Sequence, residues 1–173
     1  FKGTFNGGNH EISYMFVDIM GTEDTTICAG LFGLISNGCV KNVKVTESKV
    51  NAVSQEEEEK KVNYAGGIVG KNEKGTVTNC SFTGEVKAES DYYNYAGGIV
   101  GCNYDDVVIT NCCNYGDLYA SGSHYFNDTG GIVGYNIDGS VVNCSNFGSV
   151  TSSSNNGCNN AGGIVGSNGG GVK

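Results

Sequence analysis

Carboxylates are the first residues in this sequence whose type and spacing could do chemistry. Glu73, Asp105, Asp106 and Asp138 gather near one recurring turn, and Glu85 and Asp117 each follow a glycine at equivalent places in successive repeats. Carboxyl groups about 5 Å apart match the acid and nucleophile of a retaining glycosidase. The plainer reading is that Asp and Glu occupy turns and surface, because a repeat generates such columns automatically. His10 and His124 lie in different repeats, and neither sits in a motif with Ser or Cys, so no nucleophile–base pair is assembled. Calcium at Asp105-Asp106 or within Glu56–Glu59 would lack the Asp-x-Asp-x-Asp-Gly spacing. No catalytic residue, metal ligand or cofactor is therefore expected.

Eight cysteines (Cys28, Cys39, Cys80, Cys102, Cys112, Cys113, Cys144 and Cys158) include no C-x-x-C pair, which argues against a zinc ribbon. Cys80, Cys112 and Cys144 share the column of Val43, so they read as small, reduced, buried fillers. A spacing of about 4.8 Å between stacked Cβ atoms is too long for an easy disulfide. Cys102 stands where other repeats have Lys71, Tyr135 and Ser167, and is expected to face outward and be exposed.

Aromatic residues are the more promising set. Tyr64, then Tyr92, Tyr93 and Tyr95, then Tyr125 and Phe126 precede successive copies of one glycine phrase. If the repeats are in register, these residues emerge from loops along one edge, where solenoids often bind. A tyrosine ring offers an apolar body and a polar tip to a glycan or protein. Tyr92, Tyr93, Tyr95, Tyr125 and Phe126 are the candidate ligand-binding residues.

The phrase that must position them occurs five times: Ala29-Gly-Leu-Phe-Gly33, Ala65-Gly-Gly-Ile-Val-Gly70, Ala96-Gly-Gly-Ile-Val-Gly101, Thr129-Gly-Gly-Ile-Val-Gly134 and Ala161-Gly-Gly-Ile-Val-Gly166. Successive copies start 36, 31, 33 and 32 residues apart. The longest interval holds the charged insertion Ser54–Lys61, read as a loop. A second signature ends in Asn42-Val43, Asn79-Cys80, Asn111-Cys112 and Asn143-Cys144, and a third reads Gly84-Glu-Val86, Gly116-Asp-Leu118 and Gly148-Ser-Val150. Glycine at this density opposes helix by about 1 kcal/mol per residue, whereas short β-branched runs between Gly and Asn favour strands.

The expected fold is therefore all-β: a right-handed parallel β-helix of about five coils of ~32 residues, with three short strands per coil. Handedness follows the general rule for parallel crossovers. Ile68, Ile99, Ile132 and Ile164, with Leu31, should form one inward column. Val40, Val77, Ile109 and Val141 should form a second, and Val86, Leu118 and Val150 a third. Asn72, Asn103, Asn136 and Asn168 should bond coil to coil. All 173 residues read as one domain with units near 1–28, 29–64, 65–95, 96–128, 129–160 and 161–173. The start inside a motif and the finish at Gly171–Lys173, without capping units, suggest a piece of a longer parent chain.

A net charge of −8, with ten lysines and no arginine, disfavours nucleic-acid binding. No apolar run is long enough to span a bilayer as a helix. The absence of arginine also disfavours a polysaccharide lyase, which must neutralise a uronate.

The glycine phrases resemble the GLUG motif of bacterial surface proteins, and Phe1–Ile12 resembles the segment that often precedes the first such motif. The resemblance covers nearly the whole chain. It implies a non-enzymatic structural or adhesive module, extracellular, on a bacterial cell surface or secreted, with a host or environmental glycan or protein as ligand. Such repeats also form accessory regions of immunoglobulin A-cleaving peptidases. A carbohydrate-active enzyme on a parallel β-helix is the competing reading.

Overall fold

A computed structural model describes residues 1–21, 26–54 and 61–169. Glu56–Glu59, most of the acidic insertion and the closing Gly171–Lys173 lie outside them. The chain winds through five coils of parallel strands. The first holds β1 (Thr4–Asn6), β2 (Glu11–Ser13), β3 (Phe16–Gly21), β4 (Ile27–Ala29) and β5 (Phe32–Ser36). The second holds β6 (Cys39–Ser54), β7 (Val62–Gly66) and β8 (Val69–Glu73). The third holds β9 (Thr76–Glu89), β10 (Tyr93–Gly97) and β11 (Val100–Tyr104). The fourth holds β12 (Val108–Thr110), β13 (Cys113–Asn114), β14 (Asp117–Gly122), β15 (Phe126–Gly130) and β16 (Val133–Ile137). The fifth holds β17 (Ser140–Val142), β18 (Ser145–Asn146), β19 (Val150–Ser154), β20 (Cys158–Gly162) and β21 (Val165–Asn168).

Stacking the coils makes three sheets. An 11-stranded first sheet contains β1–β3, β6, β9, β12–β14 and β17–β19. The second sheet runs β4-β7-β10-β15-β20 and the third β5-β8-β11-β16-β21, five strands each. The fold is the expected parallel β-helix, but its strands are divided differently. The second and third sequence signatures share one long strand in β6 and β9, whereas each glycine phrase bends from the second sheet into the third. The long strand breaks in the fourth coil, where Asn114 replaces Phe82 in register. The Asn114 side chain accepts from the Gly116 N–H (3.0 Å) and donates to the Gly116 carbonyl (2.8 Å). That local turn competes with the ladder and divides β13 from β14.

Ile68, Ile99 and Ile132 are fully buried, as are Val40, Val77 and Ile109, and Val50, Val86 and Leu118. Leu31, Val141 and Val150 are half-buried and Ile164 is exposed, because these columns run into the first and last coils. Two amide ladders tie the interior. Asn72, Asn103 and Asn136 each donate to the next residue, ending at Asn168, over 2.9, 2.8 and 2.8 Å. Asn63, Asn94 and Asn127 do the same, ending at Asn159, over 3.4, 2.8 and 3.3 Å. Stacking in register lets each buried amide meet an identical partner, at about 1 kcal/mol net per bond. A third column, Asn42, Asn79, Asn111 and Asn143, takes left-handed backbone (φ 52–56°), which Asn tolerates better than other side chains.

Candidate functional site

The glycine phrase creates an external crease between the second and third sheets. A β-carbon at Gly66, Gly97 or Gly130 would collide with the carbonyl of Val69, Val100 or Val133, so only glycine permits the bend. The last glycine of the phrase makes a second close approach: a β-carbon at Gly101 or Gly134 would lie 2.8 Å from the backbone nitrogen of Ala65 or Ala96. With the two backbones this close, outward side chains of neighbouring sheets meet. Across the crease Tyr95 of β10 stacks on Tyr135 of β16 at 5.0 Å, and within the second sheet Tyr95 stacks on Tyr64 of β7 at 5.5 Å, each pair tilted by 17°. Lys71 lies 5.6 Å from the Tyr64 ring centre and pairs with Glu73 at 2.6 Å.

The crease corrects one expectation. Cys102 does not reach solvent; it is 2% exposed. It shares the third-sheet column of Lys71 and Tyr135, and the tyrosines of the crease close over it. Burial pushes its thiol up to about 12 and pushes the Tyr64 and Tyr95 hydroxyls up as well.

Asp128 takes the register position of Tyr95 in the next coil and is only 2% exposed. Its Oδ1 accepts from Asn160 Nδ2 at 2.7 Å, and burial holds the carboxyl above its ordinary range despite that bond. Tyr93, Tyr95, Phe126, Asp128, Tyr135 and Ser167 line a cleft of about 250 Å³ here.

The five aromatic candidates form one strip that runs into this cleft. Tyr125 stacks on Tyr92 at 5.1 Å and lies 5.2 Å from Tyr93; Tyr93 meets Phe126 at 6.1 Å and Tyr95 at 6.5 Å. Only Tyr92 and Tyr125 sit in loops; Tyr93, Tyr95 and Phe126 are strand residues. Tyr125 and Phe126 are exposed, whereas Tyr95 is buried. Sequence reasoning did not place Tyr135, Asp128 or Ser167 in this site. It also missed a separate exposed stack, Tyr115 on Phe147 at 5.0 Å, whose in-phase Asn-aromatic-Gly triplets were a readable signal.

The remaining candidates are engaged elsewhere. Glu85 and Asp117 are register neighbours, but Lys49 lies 3.9 Å from Glu85 and Asp117 accepts from the Ser149 N–H at 3.0 Å. Asp105, Asp106 and Asp138 occupy left-handed turns, and Lys74 pairs with Asp105 at 3.3 Å. His124 stacks near Tyr92, and His10 is exposed in a turn. All eight cysteines are free. The thiols of Cys80, Cys112 and Cys144 donate to the carbonyls of Thr78, Thr110 and Val142, each at 3.3 Å. A hydrogen bond from Cys112 draws Cys144 down to about 7. Among the described residues no group of three or more His, Cys, Asp or Glu is arranged to hold a metal.

This geometry comes from a glycine phrase repeated in register, and the GLUG motif is matched over residues 62–87 and 127–151. The chain carries GLUG-motif repeats. No curated protein and no solved structure matches it. The two matched GLUG segments begin at β7 and at Asn127 in β15, so each contains a crease-forming phrase and the start of the next coil. The aromatic strip belongs to the residues that vary between repeats beside those phrases, so the GLUG repeats supply the scaffold on which the candidate site is carried.

Proposed function

We propose that this GLUG-repeat solenoid is a non-enzymatic recognition and spacer module of a larger bacterial protein, displayed on the cell surface or secreted. It holds a host or environmental glycan or protein along its tyrosine-lined edge. The observation that supports the reading is the continuous aromatic strip from Tyr92 and Tyr125 through Tyr93 to the Tyr95–Tyr135 cleft. Rigid stacked rings provide contact area at low conformational-entropy cost.

Glycan and protein arrays probed with the purified chain test it. A variant carrying Tyr92→Ala, Tyr93→Ala and Tyr125→Ala should lose retained ligand at least tenfold, and no product should be released. Released sugar products that disappear in Asp117→Asn would overturn the reading in favour of a carbohydrate-active enzyme. Retention unchanged by the triple variant would remove the aromatic strip from recognition.

A further inference from the structure

We propose that the cleft at Asp128 receives a primary ammonium group on a slender alkyl stem: the lysine side chain of a partner protein. This rests on the preceding reading of the aromatic edge as a recognition surface and narrows its ligand.

Among the described residues, the buried carboxylate of the cleft has no counter-ion. Asp128 is 2% exposed, and among the described residues its one hydrogen bond is from Asn160 to Oδ1. Its Oδ2 is therefore available. Among the described residues, the lysine on the crease is Lys71, which lies two coils away, against Tyr64 and paired with Glu73. Burying an unpaired carboxylate is costly, and a ligand cation that pairs with it recovers that cost.

The walls suit the rest of a lysine side chain. Tyr93, Tyr95, Phe126 and Tyr135 surround the carboxylate with aromatic surface, against which methylenes pack and an ammonium is attracted. Ser167 adds a second oxygen acceptor on the rim. A volume of about 250 Å³ fits one side chain. A quaternary ammonium has no N–H to donate to Oδ2, and a neutral sugar leaves the charge uncompensated. The net charge of −8 draws basic partners toward the chain and speeds encounter.

The test is an NMR titration of the whole chain, following the Tyr95 and Tyr135 rings, with N-acetyl-lysine methylamide as probe. The norleucine analogue, which keeps the stem without the ammonium, choline and glucosamine serve as comparators. Saturable binding of the lysine probe, at least tenfold tighter than each comparator and weakened tenfold or more by Asp128→Asn, is expected. Asp128→Glu should retain part of the binding, and thermal melts confirm that both variants fold. Equal binding of norleucine, or no effect of Asp128→Asn, overturns the proposal. Tighter binding of choline or glucosamine also overturns it and reassigns the cleft to a quaternary ammonium or an amino sugar. Array ligands that Asp128→Asn retains as well as wild type would sink the lysine assignment alone. Failure of every array ligand, with the lysine probe still bound, would sink the broader recognition reading instead.

Discussion

The outer face of the first sheet and the crease between the other two are built from the same stacked coils, yet they treat charge in opposite ways. On the first sheet Glu11 pairs with Lys44 at 2.6 Å, Glu85 with Lys49 at 3.9 Å and Glu89 with Lys87. Each is a solvated pair worth little, and each leaves nothing for a ligand to neutralise. In the crease, rings replace the lysines around Asp128. A solenoid can thus pair the carboxylates of some columns with lysines, as at Lys71–Glu73 in the crease itself, and leave a single one such as Asp128 unmatched, with register deciding which residues become neighbours.

The largest test of that contrast is packing. Tyr95→Ala removes a ring sandwiched between Tyr64 and Tyr135 and 9% exposed, so it should cost about 3 kcal/mol. Tyr119→Ala, on the first sheet and 37% exposed, should change stability by no more than about 0.5 kcal/mol. Urea denaturation of both variants measures the difference. Equal losses would mean that the crease is not a packed seam.

Much of the scaffold was legible because the period supplied the register. Once the five glycine phrases are stacked, Ile68 falls over Ile99 and Asn72 over Asn103, and burial follows. Cys102 was misjudged for an instructive reason. Its column told which way it points, but exposure also depends on what crosses from the next sheet, and Tyr95 of the second sheet crosses there to stack on Tyr135, the column neighbour of Cys102. Asp128 and Tyr135 occupied readable positions in their columns, but their convergence required knowing that the phrase folds the second and third sheets toward each other. The break between β13 and β14 turned on Asn114 in place of Phe82, and its turn recurs in phase at Asn146, so the Asn-aromatic-Gly triplets at 114–116 and 146–148 carried a signal that went unread.

A smaller effect of opposite sign separates the carboxylates. Asp128→Asn keeps an acceptor for Asn160 and removes a buried charge, so it should stabilise the fold by about 1 kcal/mol at neutral pH. For a chain of this size that corresponds to a rise of about 2–4 °C in Tm. A lower Tm would show that Asp128 already has a cation within the protein, and the contrast between the faces would fail.

The finest discrimination is in pH dependence. Bonds from Lys44, Thr46 and Ser13 hold Glu11 at about 2, below its ordinary 4.5. Its contribution to stability is present above 4.5 and lost as pH falls toward 2. Asp128 runs the other way: burial raises its folded value above the ordinary 3.8, so its penalty is absent in acid and grows as pH rises through that interval. At pH 7 wild type should therefore be more stable than Glu11→Gln and less stable than Asp128→Asn, and both gaps should narrow as the pH falls toward about 2. Urea midpoints of the three proteins across that range measure this. An Asp128→Asn gap that widened in acid would place a stabilising positive charge beside Asp128, and the two faces would then obey one rule.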